Sequence, residues 1–590
     1  VYRTSLRFYI VGIDRTGNEC KLLVVDRMTP ELEIREDPTS YTRAEINQMM
    51  MMVKEGNAST GGLMKIATAF GIIGFVRFLY GHYLILITAR RQAGTFGSHI
   101  IWSVQDTAIV PLTNPCVYER APNSVHNKQS RSIEARYTRL FCLIQLKQDF
   151  YYSYTYDLTR TMQYNMVNAD KPQRSPRSRY IWNSFLQQAL RERVKDPGWH
   201  LNLIHGYFEQ TCCSVFGRQI ALTLIARRSR LFAGTRYLKR GVSNRGEVAN
   251  DVEVEQIVNG FDRVSVDQIG TGRYSSYVQN RASIPLFWTQ QGRKMVAKPE
   301  IVLQKQDPLG LTTGRHFADL FRRYGSPVIA VNLVRQHEKR PRESIIGRRF
   351  GTTVELLNRF LPDEHKIAYL AWDYKRTANS LQSNVMDELA IIAQWAIQRN
   401  GVFCSHPLPG AIERHPEDTQ QHSSSQKMNN HRNEHQHNAA TRKKRSKAKI
   451  EPNVCVRQRG VLRVNCIDSL DRTNVAQFCV GKCALGYQLY GLGMALHPRL
   501  ERDARVIPVL LDMYERMGDR IAMQYGGSEM HRQMANDKTA SATMSPVLYH
   551  HRARPKTKEM MIAFMRHYQN TCQDNIKQDA LNLLLGLYQP

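Results

Sequence analysis

The stretch that decides the fold is GVLRVNCIDSLDRTNVAQF, which runs from Gly460 to Phe478. Its apolar run Val461–Val464 is typical of a buried strand, and from Val475 onward the apolar residues recur at helical spacing. A chain that passes from a strand through a tight loop into a helix aims successive N–H groups at one point, where the helix dipole also favours an anion. The segment therefore predicts a phosphate-binding loop in an α/β fold.

Between the strand and the helix lies the pattern Cys466-x5-Arg472, followed by Thr473. Phosphoryl transfer to sulfur requires a thiolate, which the loop N–H groups and the guanidinium of Arg472 favour. The planar fork of Arg472 can hold two phosphate oxygens as negative charge spreads over them. The residue types predict Cys466 as nucleophile and Arg472 as phosphate clamp, although spacing alone fits a buried free thiol equally well.

The sequence contains its own comparison in CCSVFGR, where Cys212 and Arg218 have the same spacing. Gln219 follows this arginine, and the next residues, IALTLIA, are typical of a strand. This pair therefore lacks the helix N-terminus that the mechanism needs, and we interpret its spacing as coincidence.

Residues 465–474, NCIDSLDRTN, closely resemble the signature Asn-Cys-x-Asp-Cys-Leu-Asp-Arg-Thr-Asn of Sac-domain phosphoinositide phosphatases. Further matching segments, in chain order, are YYSYTYDLTRT from Tyr151, ARRSRLFAGTRYLKRGVSNRGEVANDVEVEQIV from Ala226, YSSYVQNRASIPLFWTQ from Tyr274 and YGSPVIAVNLV from Tyr324. Within the family, KCALGYQLYGLG, QYGGSEMHR and KQDALNLLLGLYQP are most similar to the polyphosphoinositide phosphatases of endosomes and vacuoles.

The resemblance implies removal of the 5-phosphate from phosphatidylinositol 3,5-bisphosphate through a cysteinyl-phosphate intermediate. On this basis Asp468 is the first candidate for general acid and then base, Asp471 is the second, and Thr473 helps the thiolate leave. The residues expected to contact substrate are Asn465, Ser469, Asn474, Arg236 and Lys239. Spacing does not decide between the two aspartates, because it places both on one loop.

By resemblance, the thiolate step needs no metal, magnesium dependence is possible, and a phosphatidylinositol 3-phosphate 5-kinase and its scaffold protein are partners. A second hypothesis is that the chain mainly serves as a scaffold in that complex. Other hypotheses are a phosphatase of other phosphoinositides and, as the nearest enzymatic rival, a protein-tyrosine phosphatase. Retention of both Cys466 and Arg472 favours activity.

Two positions depart from the family pattern. Ser469 replaces the second loop cysteine, so a Cys-x-x-Cys disulfide within the loop is excluded. Ala282 follows Arg281 where the family usually has Gly, which raises the question of whether the local backbone needs glycine.

The net charge is +30, from 82 Lys and Arg against 52 Asp and Glu. Such an excess predicts an anionic partner, and the sequence has no zinc, helix-turn-helix or RNP-like motif that would indicate nucleic acid. Arg77 and His82 interrupt the most apolar stretch, so no run reaches the ~20 residues of a spanning helix. We expect a peripheral protein on the cytosolic face of endosome, lysosome or vacuole membranes, bound to anionic lipid.

The predicted organisation has three parts: a strand-rich Sac subdomain at 1–150, an α/β catalytic domain at 151–530, and a helical region at 531–590. The catalytic domain contains a polar, low-complexity insertion at 413–449. In the first part we expect strands at RFYIVGI, CKLLVVD, YLILITA and RLFCLIQL, a helix near 61–70 and a buried hairpin around Gly81.

The run Arg227–Gly241 carries six Lys and Arg residues, and it could either face the head group or form a charged surface hairpin. The nearby Asp251, Glu253 and Glu255 could bind magnesium. We favour instead a solvated acidic face that pairs with those arginines.

Overall fold

The computed structural model describes residues 1–79, 81–114, 128–169, 178–260, 272–290, 300–304, 307–380, 384–405, 457–501, 504–531, 556–569 and 573–588. The insertion predicted at 413–449 lies outside these residues. The described residues form three sheets and 12 helices, so the predicted mixed α/β class is confirmed.

Five short strands form an antiparallel amino-terminal sheet: β1 (Tyr2–Arg3), β2 (Arg7–Ile13), β3 (Cys20–Asp26), β4 (Ile34–Glu36) and β5 (Met64–Lys65). Helix α1 (Arg43–Gly56) lies between β4 and β5 and begins with a capping box of Thr42 and Glu45. The helix expected at 61–70 is therefore wrong. Gly61 and Gly62 have φ of +99° and +66°, outside the helical range, and the helix ends before them.

The later strands are β6 (Gly71–Arg77), β7 (His82–Phe96), β8 (His99–Pro111), β9 (Phe150–Tyr152), β10 (Ile204–Val215), β11 (Arg218–Arg228), β12 (Val252–Gly260), β13 (Arg273–Arg281), β14 (Trp288–Gln290), β15 (Ile301–Leu303), β16 (Val328–Asn332), β17 (Ala368–Ala371), β18 (Phe403–Cys404) and β19 (Val461–Asn465). Strands β14 and β15 pair separately. The others form a 12-stranded sheet in the order β17-β16-β19-β13-β12-β11-β10-β9-β8-β7-β6, with β18 beside β13.

The later helices are α2 (Lys128–Cys142), α3 (Met162–Val167), α4 (Gln188–Arg193), α5 (Leu311–Tyr324), α6 (Glu343–Asn358), α7 (Tyr374–Asn379), α8 (Val385–Asn400), α9 (Asp471–Gly491), α10 (Val506–Gly526), α11 (Lys556–Tyr568) and α12 (Asp574–Leu584). Strands β6 and β7 form the predicted hairpin. The prediction of a strand at RLFCLIQL is wrong. The first residues of this stretch form the end of α2, and Phe141 is buried in the hydrophobic core next to that helix. The large sheet runs from β8 through β9 to β10, and the domain boundaries at 150 and 530 stay predictions.

The part of the sheet that positions the site is parallel. Strand β19 pairs in parallel with β16 on one side and β13 on the other. Helices α8, α9 and α10 contribute to the core on one face, and α5 and α6 contribute to the core on the other. This double cover buries all five residues of β19, as parallel strands require. Ligands of such sheets bind beyond the carboxyl ends of the strands.

Candidate active site

The catalytic loop, defined here as Asn465–Asn474, connects the carboxyl end of β19 to the first turn of α9. The strand, loop and helix predicted from Gly460–Phe478 are therefore confirmed. Ser469 has a φ of +50°, which allows the chain to turn tightly before the helix begins. The first N–H groups of α9 consequently point toward the loop, where an anion would bind.

Cys466 lies at the start of this turn and is 2% exposed. Its Sγ accepts a hydrogen bond from the N–H of Ser469 at 3.1 Å. The Thr473 hydroxyl lies 3.4 Å from the same sulfur and can donate to it. The loop thus brings together the predicted nucleophile and the threonine expected to help it leave, and both contacts favour negative charge on sulfur.

Arg472 is held by Glu343, the first residue of α6, which sequence reasoning missed. The two guanidinium Nη atoms lie 2.8 and 3.0 Å from the Glu343 carboxylate oxygens, and one also donates to the Leu333 carbonyl at 3.2 Å. Burial alone would raise the pKa of Glu343, but the charge of Arg472 lowers it below its usual value. The carboxylate therefore stays ionised and fixes the plane of the arginine fork.

Asp468 forms ion pairs with Arg236 at 2.5 Å and with Arg240, so the basic run Arg227–Gly241 contacts the catalytic loop. Arg240 also donates to the Ile467 carbonyl at 3.0 Å. Burial would raise the pKa of Asp468, but the two arginines hold it well below the usual range. In this arrangement Asp468 is a carboxylate, which suits a proton acceptor better than a donor.

Asp471 is directed toward the carboxyl-terminal helices. Its oxygens accept the N–H of His531 at 2.7 Å and pair with Arg566 of α11 at 3.2 Å. Burial opposes ionisation, but Arg566 and His531 lower the pKa of Asp471. The contacts are those of a residue that positions the loop.

Three residues expected to contact substrate, Asn465, Ser469 and Asn474, are at most 3% exposed and have protein partners. Asn465 donates to Asn332 at 2.6 Å, and Asn474 donates to the Tyr514 carbonyl at 2.9 Å. The Ser469 hydroxyl donates to the carbonyl of Ala282 at 2.5 Å. Ala282 does not have a positive φ, so the local backbone accepts alanine in place of glycine.

Lys239 lies apart from these contacts, with its Nζ 4.8 Å from the centre of the Phe232 ring. By contrast, Arg281 was not assigned a role from the sequence, yet its guanidinium donates to the Ser469 and Leu470 carbonyls. Arg281 therefore stabilises the tight turn of the catalytic loop. Arg281 could have been identified from the sequence, because it lies in the segment from Tyr274 that resembles the family. No local sequence pattern identifies Glu343 as part of the site.

The acidic cluster differs from its expected exposure. Asp251, Glu253 and Glu255 are at most 2% exposed, so the prediction of a solvated acidic face is wrong. The pairing with arginine is confirmed, because Arg227 lies 3.1 Å from Glu253 and 2.6 Å from Glu255. These paired carboxylates do not fit a magnesium ion. In the part of the chain that the structure describes, no group of three or more His, Cys, Asp or Glu could hold a metal ion.

The fold and loop define a class: a phosphatase-type Cys-x5-Arg loop at the carboxyl edge of an α/β sheet. Residues 70–379 match the protein family described as "SacI homology domain". The chain belongs to this family, whose matched relatives are phosphoinositide phosphatases, a class of phosphoric monoester hydrolases.

Among the relatives, "Phosphatidylinositol-3-phosphatase SAC1" from Arabidopsis thaliana is 38% identical over 614 residues, covering 100% of this chain and 65% of its own length. "Phosphoinositide phosphatase SAC4" from the same plant is 38% identical, covering 100% of this chain and 69% of its own. "Polyphosphoinositide phosphatase" from Schizosaccharomyces pombe is 33% identical, covering 99% of this chain and 63% of its own. The chain thus spans about two thirds of these proteins.

A solved structure of a Legionella phosphoinositide phosphatase is 14% identical with a TM-score of 0.25, covering 57% of this chain and 39% of that one. Within the described residues, no helix is both long and apolar enough to cross a membrane.

Proposed function

We propose that the chain hydrolyses the 5-phosphate of phosphatidylinositol 3,5-bisphosphate to give phosphatidylinositol 3-phosphate. The observation that carries the chemistry is the pair of donors on the Cys466 sulfur, with Arg472 held in place by Glu343 in the same loop. The name of the fission yeast relative supports a polyphosphoinositide as substrate.

In the first step the Cys466 thiolate attacks phosphorus, so an S–P bond forms and the bond from phosphorus to the inositol oxygen breaks. The fork of Arg472 and the N–H groups at the start of α9 hold the equatorial oxygens as charge develops on them. Water then attacks phosphorus and the S–P bond breaks. The Thr473 hydroxyl donates to the departing sulfur, and the thiolate is restored.

Asp468 is the proposed acid for the inositol oxygen and the base for the water. In the free protein Arg236 and Arg240 keep it ionised. A phosphate dianion beside it competes for both arginines and raises the pKa of Asp468, because like charges disfavour each other's ionised forms. Substrate binding thereby moves Asp468 toward the protonated form that the first step needs.

The attacked position is tested on short-chain phosphatidylinositol 3,5-bisphosphate by separating the two monophosphate products. We expect phosphatidylinositol 3-phosphate to accumulate. Accumulation of phosphatidylinositol 5-phosphate would instead support a 3-phosphatase, the second candidate, which the name of the Arabidopsis phosphatidylinositol-3-phosphatase favours. Release of free phosphate by Cys466→Ser would contradict the covalent mechanism.

We also propose peripheral recruitment to endosome, lysosome or vacuole membranes in a complex with a phosphatidylinositol 3-phosphate 5-kinase and its scaffold protein. The net charge of +30 supports surface attraction to anionic lipid. The protein should pellet with these membranes and be released by carbonate or high salt, equally for wild type and Cys466→Ser. Loss of pelleting in Cys466→Ser would mean that docking depends on the catalytic loop.

A further inference from the structure

A cavity of about 510 Å³ lies between the strands β9 and β10 and the helices α10 and α12. None of the described residues that line it belongs to the catalytic loop. One wall is apolar and includes Phe150, Trp182 and Leu581. A volume of this size is typical of sites for small organic ligands, which fall in the range of about 300–1,000 Å³.

Beside Trp182 lies Arg228, a residue only 2% exposed, whose guanidinium carbon is 5.5 Å from the centre of the Trp182 ring. Its Nη atoms donate to the main-chain carbonyls of Gly234 at 3.0 Å and Gln524 at 3.4 Å. Its Nε has no hydrogen-bond partner, and no carboxylate pairs with it, within the residues that the structure describes. Its neighbour Arg227 is equally buried but pairs with Glu253 and Glu255.

The charge of Arg228 is thus left without a counter-charge, and burial lowers the pKa of Arg228 to about 10. A buried charge of this kind destabilises a protein unless something pairs with it.

Lys577 of α12 adds a second cation to the cavity. Its Nζ lies 3.2 Å from the Met523 carbonyl. Burial and then the charge of Arg228 lower the pKa of Lys577 to about 8. The carboxyl of Asp149 also lines the cavity, where burial raises its pKa. It accepts a hydrogen bond from the Gln524 side chain at 3.0 Å and lies 3.8 Å from Arg520, so its charge is directed to groups other than Arg228 and Lys577.

Further polar atoms at the cavity lack partners within the described chain. These are Nδ1 of His205 and Oε1 of Gln524, both in residues at most 9% exposed. The cavity therefore combines two cations, unpartnered polar atoms and an apolar wall.

We propose that this cavity binds a phosphate monoester that carries an apolar portion. The phosphate lies between Arg228 and Lys577, where a dianion supplies the missing counter-charge, and the apolar portion packs on Trp182 and Leu581. Both a phosphorylated lipid and a free phosphorylated metabolite carry a phosphate monoester, so both classes of ligand fit this chemistry.

Calorimetry in an Arg472→Met background, which removes the anion clamp of the catalytic loop, tests the proposal. The probes are short-chain phosphatidic acid, glycerol 3-phosphate and inorganic phosphate. We expect one phosphatidic acid per chain, with inorganic phosphate weaker because it cannot use the apolar wall. Glycerol 3-phosphate bound as tightly as the lipid would identify a soluble metabolite, and inorganic phosphate bound as tightly would overturn the role of the apolar wall.

Lys577→Met should weaken binding of phosphatidic acid about tenfold, because one charge-assisted hydrogen bond is lost. Lys558→Met, on the exposed side of α11, is the matched control and should leave binding unchanged. Arg228→Met should abolish binding, and if that variant does not fold, Lys577→Met alone decides. Absence of a second anion site, or equal affinity in Lys577→Met and Lys558→Met, would overturn the proposal.

Discussion

The chain contains two Cys-x5-Arg pairs, and their surroundings differ completely. Cys466 and Arg472 join a parallel strand to the first turn of α9, whereas Cys212 and Arg218 lie on the two strands of the β10–β11 hairpin. The turn between β10 and β11 contains Phe216 and Gly217, both with positive φ. Cys212 is exposed, and Arg218 donates to the Gly493 carbonyl at 3.3 Å.

The two pairs differ in the hydrogen-bond partners of the backbone N–H groups around them. In the hairpin, Cys212 lies opposite Ala221 in an antiparallel ladder that engages backbone groups on both strands. In the catalytic loop the N–H of Ser469 is directed at the sulfur, and the first N–H groups of α9 have no partner within the helix. Identical spacing therefore predicts chemistry only where a helix N-terminus follows.

The largest effect is expected when the cysteine of each pair is replaced by serine. Cys466→Ser should lower kcat at least about a thousandfold, because a serine hydroxyl is scarcely ionised near neutral pH. Cys212→Ser should retain activity near that of wild type. Phosphate release from a short-chain phosphoinositide measures both, and an inactive Cys212→Ser beside an active Cys466→Ser would reverse the assignment.

The arginines come next. Arg472→Lys keeps the charge but loses the two-pronged contact, so kcat should fall about a hundredfold. Arg218→Lys, in the hairpin, should change kcat little. Near-normal turnover in Arg472→Lys would mean that the site needs only a positive charge.

A smaller effect is expected at Glu343, which acts on substrate only through Arg472. Glu343→Gln should lower kcat about tenfold while Arg472 remains charged, because a neutral amide holds the fork less firmly. Glu355→Gln, on the exposed side of the same helix, is the matched control. A rise in KM with unchanged kcat would show that Glu343 affects substrate binding rather than the transition state.

The smallest effect concerns the segment that precedes β19. Deleting 413–449 should change activity on a soluble short-chain lipid by less than about twofold, since that segment carries no proposed catalytic residue. On anionic vesicles the deletion should weaken binding, because each basic residue near such a surface contributes about 1 kcal/mol. The comparison is made at rising salt, and a collapse of activity on the soluble lipid would mean that catalysis depends on this segment.

Sequence predicted those parts of the site that are local in the chain. The strand, turn and helix around Cys466 follow from periodicity, and the basic run that supplies Arg236 and Arg240 was visible as a charge cluster. Glu343 and Arg566 could not be found in this way, because their partners are brought near only by the folded sheet and helices. The error at RLFCLIQL has a similar cause, since a short apolar run fits a buried helix end as well as a strand.

The contact between Arg566 and Asp471 has a consequence for the order of synthesis. The catalytic loop leaves the ribosome well before α11 and α12, whose Arg566 and Gln578 bind Asp471 and the N–H of Thr235. Domains begin to fold while the chain is still being made, but contacts distant in sequence form late. The nascent chain therefore carries the nucleophile for some time before the groups that brace its loop have been translated, and the braced loop forms only after α11 and α12 have been made.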